Sequence, residues 1–303
     1  MKGYREMTSY SHEIISDDTR LRLHFAVIKD SRFYSPMHWH GHLEIIYPLK
    51  GYMTAFINEQ KYTLSQHDIL IVNPHELHST RTHGGVDYLL LQIPMEDLSR
   101  VLDHASSLHI KEYFPSIIGS TSLQKMRNYL QELCDTYENP HPGYLLHFSS
   151  VLYEFLYELY GNYSEVLSPE VKEKEKKNFE RMDEILQYIR SHYQEDITLH
   201  DAASALHVSH EYFCRLFRKH TGQTFLSYLN AVRTMHFHQD LLHTDASITE
   251  LLQRHGIQNY KVFLRDFKTT YGCSPAELRK ALYPREINYL YKDGQIWKRI
   301  ANN

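Results

Sequence analysis

Four side chains in the first third of the chain have types and spacing suited to binding a ligand or a metal. His38 and His40 flank Trp39, Glu44 follows in the same stretch, and His78 closes the segment NPHELH. Imidazole and carboxylate groups together are a sensible set of donors for a divalent metal. The same groups can instead hydrogen-bond a polar small molecule. We therefore take these three histidines and this glutamate as candidate ligand-binding residues.

A sequence pattern with basic residues, suited to binding anions, occurs twice in the C-terminal half. The run FCRLFRK, which starts at Phe213, recurs as FLRDFKT, which starts at Phe263, and Gly222 recurs as Gly272. A constant offset of 50 residues indicates a duplicated structural unit. On a helix, the phenylalanines of each run share one face and the Arg and Lys side chains lie on another. Each copy predicts a helix that packs through phenylalanine and presents positive charge.

A short helix is predicted before each of these runs, over Thr198–Leu206 and over Ile248–Arg254, with a tight turn after it. Helix, turn and basic helix are typical of a helix-turn-helix, whose second helix enters the major groove of DNA. The alternative is a pair of amphipathic helices with solvated basic faces. The duplication argues against that alternative.

The same stretch resembles the AraC family of bacterial regulators. The resemblance is carried by ITLHDAASALHVSHEYFCRLFRKHTGQTFLSYLNAVR, by LLHTDASITELLQRHG and by the ending CSPAELRK. It implies a partner of double-stranded operator DNA, and RNA polymerase as well if the protein is an activator. The family's base-contacting positions fall on Glu211, Cys214, Arg215, Lys261, Leu264 and Arg265. Other candidates on the same two helices and their first residues are Ser209, His210, Arg218, Asn259 and Lys268.

Departures from the family pattern concentrate in the second unit. Leu252 stands where the family has a small alanine, Ile257 lies in the turn, and Phe237 replaces an alanine in the connecting helix. Volume changes of this size in a packed core require compensation by neighbouring side chains. The angle between the two units therefore cannot be carried over from the family.

The first 95 residues predict short strands, as in the alternation of Leu21, Leu23 and Phe25 with polar residues. Such strands joined by turns suggest an antiparallel β-barrel. The HWH motif with Glu44, and NPHELH, resemble the two motifs of the cupin family. In metal-dependent cupins the matching positions bind a metal, whereas sensory cupins of regulators use such groups to line a pocket. We expect the pocket here to hold neither a metal nor another cofactor.

Two helices are predicted between the strands and the duplicated units. In the family, helices at this place pair between subunits, which implies a homodimer. The predicted fold is α+β: an N-terminal antiparallel cupin-like β-barrel with a helical dimerisation segment, then an all-α double helix-turn-helix domain. The predicted boundaries are a ligand-sensing domain over residues 1–163, a linker over 164–178, the DNA-binding domain over 179–283 and a tail with a possible hairpin over 284–303.

Composition fits a protein of about two domains that works in the cytoplasm. The 303 residues contain no apolar run long enough for a membrane helix, and MKGYREM lacks the apolar region of a signal peptide. The three cysteines form no CxxC pair. Net charge is −4, and residues 179–283 carry twelve Lys+Arg and twelve Asp+Glu. Nine histidines in that range predict a rise in positive charge as pH falls towards about 6.5.

These features together predict a transcription regulator that binds DNA and responds to a small effector, with a carbohydrate as one class. The sequence leaves open whether it activates or represses. The alternative is a metal-dependent cupin enzyme, or a metal sensor, fused to a DNA-binding domain. No Ser/His/Asp or Cys/His arrangement can be assigned to a single site, and no Gly-rich phosphate loop is present. We therefore predict no catalytic residues.

Overall fold

The computed structural model describes residues 20–282, except residues 58, 103–104 and 106–107, and the segments 290–292 and 295–297. The strands are β1 His24–Ser31, β2 Tyr34–His38, β3 His42–Lys50, β4 Met53–Ile57, β5 Gln60–Leu64, β6 Ile69–Val72, β7 His78–Thr82, β8 Val86–Pro94, β9 Leu108–Ile110, β10 Tyr113–Phe114, β11 Ser164–Val166, β12 Leu290–Lys292 and β13 Gln295–Trp297. The helices are α1 Met95–Leu98, α2 Thr121–Glu138, α3 Tyr144–Tyr163, α4 Pro169–His192, α5 Leu199–Ala205, α6 His210–Thr221, α7 Phe225–His243, α8 Ile248–Arg254, α9 Tyr260–Tyr271 and α10 Pro275–Leu282. Within those ranges, none of the helices combines the length and the apolar character needed to cross a membrane.

The N-terminal half, β1 to β11 with α1 to α3, is built on two antiparallel sheets. One has five strands in the order β1-β8-β3-β6-β10, and the other has four in the order β2-β7-β4-β5. The predicted antiparallel β domain is thereby confirmed. The two sheets are not joined by strand pairing within the described residues, so no closed barrel is found there. Side-chain packing, rather than a continuous ladder of hydrogen bonds, holds one sheet against the other.

Side chains of the five-stranded sheet alternate between two apolar layers. Ile46 and Leu90 belong to the layer between the two sheets, whereas their neighbours Ile45 and Leu91 belong to the layer under α2 and α3. Successive residues of a strand point to opposite faces, so a strand covered on both faces must be apolar throughout. This explains the nearly uninterrupted apolar runs ILIV and YLLLQI.

Helices α2 and α3 cover the outer face of the five-stranded sheet. The predicted stripe of α2 is buried, with Leu123, Met126 and Leu130 at most 4% exposed. The helix begins one residue earlier than a capping box of Thr121 and Gln124 predicts, because Ser120 is the N-cap and its side chain accepts a hydrogen bond from the backbone N–H of Leu123. The stripe packs on the sheet of its own chain.

Much of the segment predicted to be a linker is helical. Helix α4 starts at Pro169, is capped by the side chain of Ser168, and continues to His192. Its charged residues stabilise the helix through pairs one turn apart, as between Glu173 and Lys177 at 3.2 Å. The charged composition therefore belongs to the solvated start of a helix. The later part of the same helix packs in the core of the first unit.

Helices α5 and α6 form a first unit and α8 and α9 a second, with α7 between them; together they are called the double unit. The first unit packs on α4 and the N-terminal part of α7, through Phe213, Phe217 and Phe225. The second packs around Phe237, Phe263 and Phe267. Phe237, which departs from the family pattern, is fully buried and meets Phe263 with ring centroids 4.7 Å apart. A large ring here fills the core of the second unit.

The turn inside the second unit is one residue longer than that of the first. Caps Thr198 and Ser247, which open α5 and α8, are 49 residues apart, whereas caps Ser209 and Asn259, which open α6 and α9, are 50 apart. The structural counterpart of Leu252 is therefore Ala203. Ala202 corresponds to Leu251, which is fully buried.

The predicted hairpin of the C-terminal tail is present as far as the structure describes it. Strands β12 and β13 pair antiparallel, with Lys292 opposite Gln295. The proposed turn, Asp293-Gly294, lies outside the described residues.

Candidate functional site

The exposed faces of α6 and α9 are copies of each other. Over residues 211–220 and 261–270, each of ten successive positions has the same degree of burial as its counterpart 50 residues later. Phe213 and Phe217 are inside in the first unit, as Phe263 and Phe267 are in the second. Two helices that bury the same face and expose the same face are suited to one task performed twice.

The structure places all the predicted DNA-contacting residues on these outer faces. Cys214 and Leu264 are half-buried. The exposed ones are Ser209, His210, Glu211, Arg215, Arg218, Asn259, Lys261, Arg265 and Lys268. Ser209 and Asn259 also cap their helices, accepting bonds from Tyr212 (3.2 Å) and Val262 (3.1 Å) respectively. The caps expose free backbone N–H groups at equivalent ends of both helices, an arrangement that attracts anions.

Three acidic residues within residues 179–283, the range with zero formal charge, lie at the starts of other helices and not on these faces. Asp201, Glu250 and Glu277 each accept a hydrogen bond from the backbone N–H of a cap residue, at 2.7–2.8 Å. Hydrogen bonds to the cap residues hold the pKa of all three carboxyls below the usual value. Their charges stabilise the starts of α5, α8 and α10. The outer faces of α6 and α9 are therefore more positive than the total suggests.

The two faces differ in how their arginines are held. Arg265 pairs with the adjacent Asp266 at 2.9 Å. Arg215 instead lies over the ring of Tyr212, 5.8 Å from its centroid. A guanidinium stacked on a ring keeps its donors available for a bidentate contact, whereas one paired with a carboxylate has part of its fork engaged.

A buried polar cluster lies between the two sheets of the N-terminal half. Strand register puts Glu44 opposite Gln92 in one sheet and His38 opposite His78 in the other. These four residues and His40 are at most 5% exposed. The structure thus brings together all four sequence-predicted ligand-binding residues and adds Gln92. The signal for Gln92 was its place as the single polar residue in the run YLLLQI.

Backbone carbonyls determine how the ring protons of this cluster are arranged. In each of the three histidines, Nδ1 lies within hydrogen-bonding distance of a backbone carbonyl oxygen. The pairs are His38 with Pro36 (2.8 Å), His40 with His42 (3.2 Å) and His78 with Glu76 (2.9 Å). A carbonyl oxygen only accepts, so Nδ1 carries the proton and a neutral ring keeps its lone pair on Nε2. Nε2 is therefore the atom of each neutral ring that can take up a proton or bind a cation.

Glu44 is the carboxylate that faces these lone pairs. Its Oε2 lies 3.0 Å from Nε2 of His40 and accepts a hydrogen bond from Gln92, and its Oε1 lies 3.7 Å from Nε2 of His78. Burial, followed by the neighbouring His38, lowers the pKa of His78 to about 3, so this ring is neutral. Within the described residues, Nε2 of His78 has no hydrogen-bond partner. One ring nitrogen from each histidine lies within 4.8 Å of the others.

A second, half-buried cluster adjoins the first and was not found from the sequence. Glu76, His109 and Glu112 bring donor atoms within 4.8 Å of one another. Nε2 of His109 lies 3.2 Å from Glu112, and burial raises the pKa of Glu76 to about 7. This group links the loop before β7 to β9, and Glu76 is far in the sequence from His109 and Glu112.

A groove of about 520 Å³ lies elsewhere, between α4, α5 and α6. Arg181 and Tyr212 line it and are hydrogen-bonded to each other at 2.8 Å. Because this groove borders the outer face of α6, it belongs to the double unit and not to the histidine cluster.

Four of the nine histidines in residues 179–283 have a lowered pKa and supply less of the predicted rise in charge. Burial lowers the pKa of His236 and of His238 to about 4, and it lowers the pKa of His220 and His255 as well. The rings of His236 and His238 therefore stay neutral at the mildly acidic pH at which an exposed histidine becomes charged, and those of His220 and His255 become charged at a lower pH than an exposed ring. The sequence could not distinguish them because their burial is decided by packing, as in the stacking of His238 on Tyr271 at 3.8 Å.

Both halves of the chain match families of known proteins. Residues 22–156 match the family model of an AraC-like ligand binding domain, and residues 202–281 match that of a helix-turn-helix domain. YdeC of Bacillus subtilis (strain 168), an uncharacterized HTH-type transcriptional regulator, is 26% identical over 265 residues, which cover 82% of this chain and 87% of YdeC.

Two further relatives are similar over nearly the same length. The HTH-type transcriptional activator RhaS of Enterobacter sp. (strain 638) is 23% identical over 250 residues, covering 81% of this chain and 87% of RhaS. The melibiose operon regulatory protein of Escherichia coli (strain K12) is 25% identical over 266 residues, covering 83% and 86% of the two chains. The similarity in each case spans the N-terminal half and the double unit.

The buried histidines predict that acid destabilises the double unit. In the unfolded chain a histidine has a pKa of about 6.5, whereas His236 and His238 have a pKa of about 4 when folded. The unfolded state therefore binds more protons in this window, so stability is complete above about pH 6.5 and decreases as pH falls towards 4. We expect the melting temperature to drop between pH 7 and pH 5. The double variant His236→Gln, His238→Gln should show a smaller drop, and exposed His210→Gln an unchanged one. Equal drops in all three proteins would contradict the assignment.

Proposed function

Because the chain belongs to the AraC family of transcription regulators, we propose that the outer faces of α6 and α9 read its operator and that the His38, His40, Glu44 and His78 cluster binds its effector. The protein is a DNA-binding regulator that responds to a small molecule. The repetition of exposed and buried positions in α6 and α9 is the observation that carries the DNA-reading role.

Each unit offers one helix to the major groove. Two such helices in one chain address successive turns of the duplex, about 10 base pairs apart. Exposed Lys and Arg side chains and the capped helix starts contact phosphates and orient the protein, while a few side chains contact base edges. Arg215 is the best placed for a bidentate bond to guanine, the commonest specific contact of an arginine.

The two units should not specify bases equally. Leu264 occupies a groove-facing position and offers only an apolar contact, such as one with a thymine methyl group. Arg265 is engaged by Asp266, so we assign it mainly to phosphate. The half-site of the second unit should therefore be rich in A·T pairs and loosely specified.

Operator selection from a random pool of duplexes tests this asymmetry. Arg215→Ala should relax base choice at one position, because a bidentate arginine–guanine pair contributes about 1–3 kcal/mol of discrimination. Arg265→Ala should weaken all sequences similarly and reduce the salt slope by about one unit. Lys280→Ala removes one exposed positive charge from α10 and serves as the control that leaves base choice unchanged. Equal loss of specificity in both half-sites would show that the asymmetry is wrong.

A carbohydrate is the first effector class that we propose. One relative is named for the melibiose operon, and the cluster supplies imidazole, carboxylate and amide groups that can bind hydroxyl groups. We assign these residues to binding and none to catalysis, since the relatives are transcription regulators. A sugar ring is too large to lie between ring nitrogens within 4.8 Å of one another, so it would bind beside them or separate them.

A divalent metal is the second effector class, and the geometry of the cluster favours it. Three buried imidazoles converge with a carboxylate, and His78 keeps a lone pair without a hydrogen-bond partner in the described part of the chain. Backbone carbonyls at each Nδ1 orient the rings in the way that is typical of metal ligands. His38, His40, His78 and Glu44 would hold the ion. A bound metal would supply positive charge and tie together strands from both sheets.

Thermal unfolding with candidate effectors tests the cluster. Melibiose and, separately, Zn²⁺ or Ni²⁺ are added to tag-free protein, and the effector that binds should raise the melting temperature by about 2–8 °C. His40→Ala and Glu44→Ala should abolish this rise while operator binding persists. His141→Ala, an exposed histidine outside the cluster, should respond like the parent protein. Metal analysis of the purified protein separates the classes, because stoichiometric metal that is lost in His78→Ala supports a metal. Normal responses in the cluster variants would locate the effector site elsewhere.

We propose that the protein is a homodimer that pairs through α3. Leu146, Tyr153 and Tyr157 recur on one side of this helix and are 81%, 55% and 75% exposed. Large apolar side chains aligned on an exposed helix face mark an interaction surface. RNA polymerase is a further proposed partner if the protein activates transcription, as RhaS is named to do. Binding to operator DNA places its work in the cytoplasm.

Sedimentation or light scattering tests the dimer. Tyr157→Glu introduces a charge into the stripe and should convert the protein to a monomer. Gln131→Glu introduces the same charge at an exposed position of α2 outside the stripe and should leave the dimer intact. A dimer that survives Tyr157→Glu together with Leu146→Glu would exclude α3 as the interface.

A further inference from the structure

We propose that the four-stranded sheet clamps both helix-turn-helix units at the C-terminal ends of their base-reading helices and so fixes the angle between them. The inference deepens the proposed function and rests on it, since it concerns how the effector-binding half controls operator reading. It makes the N-terminal half a part of the DNA-reading geometry as well as a sensor.

Within the double unit itself, the two units share little that would fix their angle. Among the described residues, their apolar cores are separate clusters, the first containing the N-terminal part of α7 and the second its C-terminal part. The layer between the cores is polar or aromatic. Arg233 there donates to the backbone oxygens of Tyr193 and Glu195, at 2.7 and 2.6 Å. Two units connected by one helix and a few hydrogen bonds can change their relative angle more easily than two units that share an apolar core.

The first anchor joins the sheet to the end of α6. Glu59, between β4 and β5, lies 2.7 Å from Nζ of Lys219 and 3.7 Å from Nε2 of His220. Phe56 of β4 packs against the backbone of Gly222, the residue that ends the helix. An acidic side chain and a ring from the same hairpin thus hold one corner of the first unit.

The second anchor joins the sheet to the end of α9 in the equivalent place. Arg32, just before β2, packs against Gly272, the counterpart of Gly222 fifty residues later. A guanidinium here faces the negative end of the helix dipole, which attracts cations. Arg81 of β7 also acts electrostatically on the buried Tyr271 beside this glycine. The N-terminal half therefore contacts the same corner of both units.

Both corners depend on glycine for two reasons. The backbone φ is +70° at Gly222 and +78° at Gly272, a left-handed conformation that a side chain disfavours. A Cβ atom would also lie 2.5 Å from Phe56 in the first case and 2.5 Å from Arg32 in the second. Helix termination explains both φ values, and docking of the rigid Phe56 ring explains the close approach at Gly222, whereas the tip of the flexible Arg32 side chain at Gly272 could move aside.

The clamp leaves the DNA-reading faces uncovered. Arg215 and Arg265 remain exposed while the helix ends behind them are docked. The docked arrangement is therefore compatible with binding DNA, and its effect is on the separation and orientation of the two helices. Each base pair inserted between half-sites shifts the second by about 3.4 Å and rotates it by about 34°. A rigid pair of helices must then favour one spacing.

Strand β2 connects the clamp to the histidine cluster. His38 contributes to the cluster, while the carbonyl of its neighbour Met37 accepts hydrogen bonds from Arg190 of α4 (2.6 Å) and Tyr228 of α7 (3.2 Å). Trp39, which lies between His38 and His40, donates to Asp183 at 2.9 Å. Any displacement of the two histidines moves residues that contact α4 and α7. The anchors are ion pairs and small contacts, weak enough individually to be released by such a shift.

Operator selection with the full-length chain tests the clamp directly. The pool consists of duplexes with two half-sites separated by variable spacers. The parent protein should favour one spacing by about tenfold over neighbours one base pair longer or shorter. Arg32→Ala and the double variant Phe56→Ala, Glu59→Gln should each reduce that preference to about threefold or less while selecting the same half-site bases. Lys61→Ala, an exposed change on the same sheet, is the control that leaves the preference intact.

Retention of the parental spacing preference in both anchor variants would overturn the clamp. If the parent selects no sequence at all, the proposed operator binding fails, and docking is judged by fluorescence instead. Trp39 and Trp297 are the two tryptophans of the chain, so Trp297→Phe makes half-buried Trp39 the single reporter. Release of both anchors should shift its emission to longer wavelength as Trp39 becomes hydrated. Unchanged emission in the combined variant would show that the sheet does not depend on these anchors to dock.

Discussion

Burial of two phenylalanines on each base-reading helix is the constraint from which the arrangement of the double unit follows. Phe213 and Phe217 lie in one core and Phe263 and Phe267 in the other, all at most 4% exposed. A helix that buries two large rings four residues apart has its rotation about its own axis fixed. The opposite face must then be the one that meets solvent or DNA. The candidate DNA contacts on the two helices are exposed because these rings turn the other face inward. Leu264 is half-buried because it lies beside Phe263.

A different constraint governs the N-terminal half, where polar groups are buried at one end of an apolar layer. Glu44 and Gln92 occupy sheet positions on the same face as Ile46 and Leu90, which belong to that layer. Burying ionisable groups without partners is costly, so the histidines are oriented by backbone carbonyls and face a carboxylate. Nε2 of the neutral His78 has no hydrogen-bond partner among the described residues, so the cluster retains an acceptor for a donor group or a cation.

The two halves are parts of one packed structure. Met37 and Leu77 belong to the same apolar cluster as the core of the first unit, and α4 passes from the supposed linker into that core. His38, which we propose to bind the effector, lies between Met37, which contacts α4 and α7, and Trp39, which contacts α4. Because Met37, His38 and Trp39 are adjacent, a change at the cluster cannot be isolated mechanically from the interface. Coupling between effector and operator therefore needs no long pathway through the protein.

The sequence by itself determined the features that are local. Helical periodicity revealed which faces of α6 and α9 carry phenylalanine and which carry arginine, and the motif around His38 and Glu44 identified the buried cluster. One local feature was not predicted from the sequence. The caps of α5 and α8 are 49 residues apart and not 50. An extra residue in a turn leaves no periodic trace, so the single offset of 50 read from the sequence does not align the two units throughout.

Only the tertiary structure decided which distant residues meet. The sequence around Gln92 does not predict that it lies opposite Glu44. The sequence around Arg32 and Glu59 does not predict the helix ends that they contact. The strands also form two sheets rather than a closed barrel, because closure depends on the pairing of edge strands and not on the character of any one strand. Periodicity reports which face of an element is buried, whereas the identity of the partner is set by how all elements pack together.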